Sequence, residues 1–384
     1  MTTTTASGHF WADDDRPFQR LLRRLHLSRP TGNVRRAWLV AIAWVPLALG
    51  AVIRKLGGRE PEPLVYDISV HIRFLVAMPC VLTAEHMLRR LVNTSVAQLY
   101  DGRFADASAL DRVLDRAERL RAEPAIELAL AGCALVLGQL VLWGVVGTTG
   151  LVSGTSQTSW SISGVWYAAI ALPLLQFLVL RWIWEWIVWS LALVQISRMR
   201  LATAASHPDR SAGLEFLSWP LGAFAMFMLG LSCVLAGAWG TQLLAHRTTI
   251  PSLVPTLAIL LAIALVVALG PLILFAQHLY RARLAELSDY NALALQYVRE
   301  FRAKWIDAVP ITSPLGAADI QALHDLGGAY EVIATTGMTV FRRRSAIAIV
   351  LAVLVPLIPL ALTVVPIQRV FSRLVDAVVG ALAL

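Results

Sequence analysis

Ionisable side chains recur in apolar surroundings at three places along this chain, and their types and spacing name the chemistry they could do. His71, Glu85, His86 and Arg89 fall within about a 100° arc when a helix is wound at 100° per residue. A charged face on an apolar helix is costly and is a candidate for a wet path, with Glu85 and His86 as a proton or ion relay. The alternative reading puts Glu85, His86 and Arg89 at the water interface, paired with loop charges. Arg181 and Glu185 stand one turn apart and can pair, amid Trp182, Trp184, Trp186 and Trp189. Such a tryptophan cluster marks a membrane–water interface, where Arg181 would snorkel to water. A deeper position would make the two an intramembrane ion pair. His207 and Asp209 flank Pro208. A histidine beside a carboxylate titrates near physiological pH, which suits a relay at the mouth of a path. The plainer reading is a turn: Pro208 holds His207 out of the helical region, Asp209 caps backbone N–H groups, and Gly213 relieves the backbone.

These residues need helices to carry them, and composition says which kind. Hydrophobic residues make up 57% of the 384 positions and charged residues 15%, well below the soluble average of about 25%. The reading is an all-α polytopic membrane protein. Seven apolar segments are long enough to cross a bilayer: Ala37–Ile53, Ile68–Leu91, Ile126–Gly147, Gly164–Ser197, Phe216–Leu244, Leu253 to beyond Tyr280, and Ala346–Pro366. With the N-terminus in the cytoplasm, 25 of the Lys and Arg residues lie in inside segments and 6 in outside ones. That bias sets the orientation. It also reassigns the net charge of +8 from nucleic acid to the anionic lipids of the cytoplasmic face.

The chain divides into a cytoplasmic tail (1–36), a transmembrane domain (37–280), a cytoplasmic helical segment (281–344), a seventh span (345–366) and an amphipathic tail (367–384). In the first tail, Phe18, Leu21, Leu22 and Leu25 form a stripe flanked by arginines, which suits a membrane surface or the protein's own loops. Asp106–Arg121 reads as a helix with Leu110, Val113, Leu114, Ala117 and Leu120 on one face. Leu284, Leu287, Leu295, Val298 and Trp305 predict a helix that continues the sixth span, ended by Pro310 and Pro314 and followed by a second from Ala317 to Ile333. These helices must bury apolar faces against each other or against a second copy of the chain, making a homo-oligomer a candidate state. Prolines interrupt most spans, and the carbonyls they free need partners. Gly230, Cys233 and Gly237 make a small face suited to close helix contact. Cys80, Cys133 and Cys233 form no metal or disulfide pattern, and no nucleotide-binding or hydrolase motif is present, so no cofactor, metal or catalytic residue is implied.

His-Pro-Asp is also the tripeptide of J-domain co-chaperones, but those carry it in a separate soluble module, whereas here membrane spans flank it. Three stretches together, HPDRSAGLEFL, YVREFRAKWI and ADIQALHDLGGAYEVI, resemble an uncharacterised family of bacterial polytopic inner-membrane proteins with an HPD-x-x-G-G-L-like cytoplasmic loop and an ADIQ-like segment. The chain departs from that loop at Ala212, where the family tends to have Gly. The resemblance implies a bacterial cytoplasmic membrane and this architecture, and brings no activity with it. From the residues, the expected function is a channel or transporter for a small solute or ion. The alternatives are a membrane-embedded scaffold or sensor whose cytoplasmic helices bind a partner, and an intramembrane enzyme using the HPD loop.

Overall fold

The computed structural model describes residues 11, 32–56, 67–142, 162–245, 247–307 and 318–360. Helix is the regular structure among them, and no strand occurs there. In chain order the helices are α1 (Gly32–Leu56), α2 (Ile68–Asp101), α3 (Ala107–Ala122), α4 (Pro124–Leu142), α5 (Ser163–Ile196), α6 (Leu221–Leu244), α7 (Ile250–Ile273), α8 (Ala276–Trp305), α9 (Ala318–Thr335) and α10 (Arg343–Leu360). Among the described residues five are long and apolar enough to cross a membrane: α2, α5, α6 with the 3₁₀ turn before it, α7 and α10. This is the make-up of a multi-pass membrane protein. The apolar parts of α1 and α4 are shorter, Arg36–Gly50 and Pro124–Gly138. The amphipathic stripe of the N-terminal tail and the 367–384 tail lie outside the described residues.

The helix starts follow local chemistry. Asp67 caps α2 by accepting from the Ser69 N–H at 2.9 Å, and Asp106 caps α3 through the Ala109 N–H at 3.0 Å. Thr249 and Ser252 form a reciprocal capping box on α7, which satisfies donors that a helix start leaves open.

Helix α6 sits at the centre, packed on α2 and α10. The small face read from the sequence allows it. A Cβ on Gly230 would lie 2.9 Å from the Cβ of Cys80 and 3.1 Å from the carbonyl of Ala77, so only glycine lets the two helices come this close. Helix α5 packs on α4, α3 and α2. Helix α7 turns Val254, Ile259, Ile263 and Val266 outward, an apolar surface that suits lipid.

Prolines shape the bundle in two ways. Pro79 and Pro173 each follow a π-helical turn, Arg73–Ala77 in α2 and Tyr167–Ala171 in α5. The wider turn accommodates the ring that would otherwise strike the preceding carbonyl. Pro46 and Pro271 instead leave the carbonyl four residues back without its usual N–H. Trp166 Nε1 donates to Ile42 O at 3.2 Å, and Trp186 Nε1 donates to Val267 O at 3.2 Å. Each freed carbonyl thus gains an indole donor from a neighbouring helix. Past Pro271 the ladder breaks at Leu274–Phe275. Contrary to the sequence reading, the sixth span and the following segment are therefore two helices, α7 and α8.

Candidate functional site

Six charged side chains from α2, α3 and α5 form a chain of alternating sign. It begins at Glu118, which takes Arg121 at 2.9 Å, and Arg121 lies 3.9 Å from Glu185. Glu185 lies 3.5 Å from Arg89, Arg89 pairs in turn with Glu85, and Glu85 takes Arg181 at 3.0 Å. Glu185 is fully buried, and Arg181, Arg121, Glu85 and Arg89 are buried around it. Glu85 lies about 25 Å along α2 from Ile68 at 1.5 Å per residue. That length is most of the thickness of a hydrocarbon layer of about 30 Å.

Several sequence expectations change here. Arg181 does not snorkel to water. Arg181 is 3% exposed and reaches across to α2, while Glu185 takes arginines from α2 and α3. Three of the four tryptophans, Trp182, Trp186 and Trp189, belong to the interior as well, while Trp184 is half-buried. Trp182 stacks on Phe227 at 3.8 Å and on Trp186 at 5.7 Å, and Trp189 is fully buried. The four-residue arc on α2 is divided. Glu85 and Arg89 are buried, His86 is exposed, and His71 accepts the Trp44 indole N–H at Nδ1, 3.0 Å away. The π-turn at 73–77 lies between His71 and Glu85 and rotates one end of the helix against the other, so a uniform 100° per residue misplaces them.

Arg121 was missed, although a signal existed: it continues the stripe Leu110, Leu114, Ala117 at the next i+4 position. A second unforeseen contact joins the two π-turns. Arg73, buried in the first, donates to the Tyr167 hydroxyl of the second at 2.6 Å. Trp11 covers the far side of the ionic chain. It is buried, its ring lies 5.1 Å from the Arg121 guanidinium, and it meets Trp189 edge-on at 6.2 Å.

Chemically, the chain is a staple. Arginine does not release its proton in proteins, so the guanidinium charges are permanent and tie α2, α3 and α5 together through the carboxylates between them. Among the described residues no group of three or more His, Cys, Asp or Glu side chains gathers to hold a metal.

The His207–Asp209 loop is a second polar centre, built as a turn. The Asp209 carboxylate accepts from the backbone N–H groups of Ser211 (2.9 Å), Gly213 (3.0 Å) and Glu215 (3.2 Å), with His207 Nδ1 2.9 Å away. Burial of this carboxyl works to raise its pKa. The backbone donors and His207 outweigh it and hold the pKa below the ordinary 3.8. Arg210, Ala212 and Gly213 have φ of 56°, 53° and 85°, the left-handed values a tight knot requires.

Other stretches of chain tie the knot down. Ala202 N–H donates to Phe104 O at 2.8 Å. Glu286 of α8 accepts from Ala205 and Ser206 N–H at 2.6 and 2.8 Å. His278 Nε2 lies 2.6 Å from Ser197 O. Thr336 donates to Ala205 O at 2.8 Å, and Gly337 N–H donates to Arg210 O at 2.9 Å. Arg342 and Arg344 both hold Glu215. The loop thus anchors the bases of α8, α9 and α10 to the bundle.

Beyond that base, α8 and α9 form a two-helix arm. Tyr297 donates to Asp319 O at 2.8 Å, and Trp305 donates to the Asp319 carboxylate at 3.1 Å, which Lys304 also holds. Leu279 is the buried residue of α8 and Ile333 that of α9. Leu284, Leu293, Leu295 and Val298 of α8 are each about half exposed. No protein-family model, curated protein or solved structure matches this chain.

Proposed function

We propose that this is a membrane-embedded scaffold of the bacterial inner membrane that presents the α8–α9 arm to a cytoplasmic protein partner. The observation that carries the reading is the arm: a helical hairpin braced at its base by the His207–Asp209 knot, with apolar side chains outward along α8. An amphipathic helix of a partner is the complement such a face takes. The reading includes seven crossings, with α1 and α4 as the shorter two, and the N-terminus in the cytoplasm. In its support, the stretches that meet at the knot, around Phe104, 197–214 and 334–344, belong to the arginine-rich segments of the sequence. The resemblance to the uncharacterised bacterial family is part of the proposal, and the left-handed Ala212 sits where that family tends to have Gly. Photo-crosslinking from position 295 in cells tests the reading. The expected result is capture of one cytoplasmic protein, lost in Val298→Glu while membrane insertion is kept.

Passage of a small solute or ion is the second reading. The observation favouring it is the ionic chain, because arginine–carboxylate pairs joining three helices can part and re-form in a gate. Flux of protons and monovalent ions into liposomes, compared with Glu85→Gln, decides it. Flux altered by the variant supports passage; no flux from inserted, folded protein leaves the scaffold.

A further inference from the structure

A groove of about 570 Å³ runs between α1 and α2, within the roughly 300–1,000 Å³ of built small-molecule sites. Ala37 and Ala41 of α1 and Pro79 of α2 all line it, and such small or compact side chains fill little of the space between two helices. Val40, Trp44 and Val45 complete an apolar wall. Ala37 and Val45 are exposed, as are their α1 neighbours Trp38 and Leu49. The groove therefore opens sideways, toward lipid.

One end differs. There Arg36 donates through Nη1 to Thr83 Oγ1 at 3.3 Å, and both residues line the groove. On α2, Pro79, Thr83, His86 and Arg90 recur at the spacing of a single helical stripe. His86 and Arg90 are exposed and continue the basic character beyond Thr83. An apolar slot open to the bilayer, closed at its end by a guanidinium and a hydroxyl, is complementary to an apolar chain that ends in an anion.

We propose that this groove binds an anionic phospholipid, with one acyl chain along Val40, Trp44 and Pro79 and the phosphate at Arg36 and Thr83. The site is independent of the scaffold reading and stands whether or not the arm has a partner. Among the residues singled out in the sequence, it gives exposed His86 a place at a lipid headgroup rather than on a conducting path.

The test is native mass spectrometry of the full-length protein in detergent, titrated with phosphatidylglycerol, with phosphatidylcholine of the same chains, and with inorganic phosphate. The expected result is one saturable phosphatidylglycerol per chain, held more tightly than phosphatidylcholine. Arg36→Gln should weaken it about five-fold, the worth of one basic residue at an anionic surface, and Arg36→Lys should recover part of that. Ala41→Trp fills the groove and should abolish the bound lipid with Arg36 intact. Val45→Trp, at the exposed lip, serves the same purpose where Ala41→Trp does not fold. Equal affinity for the two lipids, unchanged binding in the filled-groove variant, or full displacement by phosphate would each overturn the proposal. The last two outcomes would mean surface adsorption and a free-anion site, respectively.

Discussion

Glu185→Gln removes the charge at the centre of the ionic chain and leaves every other member in place. Two arginines lose their shared partner, Arg89 at 3.5 Å and Arg121 at 3.9 Å. With an effective dielectric of about 20, those separations correspond to roughly 5 and 4 kcal/mol of attraction. The variant also escapes the several kcal/mol that burying a carboxylate costs, so the net falls to about 3–5 kcal/mol, the usual cost of breaking a buried pair. The amide oxygen still accepts a hydrogen bond, which places Gln at the lower end. At about 2 °C per kcal/mol for a large domain, the melting temperature in detergent should fall by about 6 °C. Fluorescence-detected size exclusion after heating reads it. Adding Arg121→Met should recover part of the loss, because no buried guanidinium is then left beside the neutral Gln side chain at 185, and Glu118, which loses Arg121, is about a third exposed to water. A Glu185→Gln protein that melts within 1 °C of the parent refutes the reasoning, as does a double variant whose loss equals the sum of the singles.

Trp186→Phe keeps one aromatic ring but deletes the five-membered ring and with it the donor to Val267 O; it should cost about 1–2 kcal/mol for the hydrogen bond on top of the cavity left in the packing, and adding Pro271→Ala should recover the hydrogen-bond part by restoring the backbone N–H, as a double-mutant cycle would show. Asp209 has a lowered folded pKa, so its contribution is complete above the ordinary carboxylate value and is lost as pH falls through the folded one. Hydrogen exchange of 205–218, corrected for intrinsic rates, should stay flat from pH 8 to 5 and quicken only below about pH 4; loosening already above pH 5 would refute the assignment to Asp209. Ala212→Gly should stabilise by up to about 1 kcal/mol, because the position is left-handed at φ 53°. Gly213→Ala should destabilise by about 1–3 kcal/mol, since φ is 85° and the new Cβ would lie 2.9 Å from Phe104; denaturation of each variant checks both signs.

Much of this molecule is written in local pattern. Apolar runs of bilayer length are a property of consecutive residues, and five of the helices they call for are long enough to span. The turn at Asp209 was legible because its donors are two, four and six residues away. The close face of α6 was legible because small residues at helical spacing have one use in a packed bundle. The partner of each charge was not. Arg181 and Glu185 are one turn apart in sequence, yet Arg181 meets Glu85 and Glu185 meets Arg89 and Arg121. That choice depends on how α2, α3 and α5 are rotated about their axes, and two π-turns reset the rotation partway along α2 and α5. Nor does the sequence say that Trp166 and Trp186 would answer the carbonyls freed by Pro46 and Pro271, 120 and 85 positions away in the numbering. Periodicity fixes which face of a helix is apolar or charged; only the docking of helices decides which faces meet, because that depends on side-chain volumes along the whole interface.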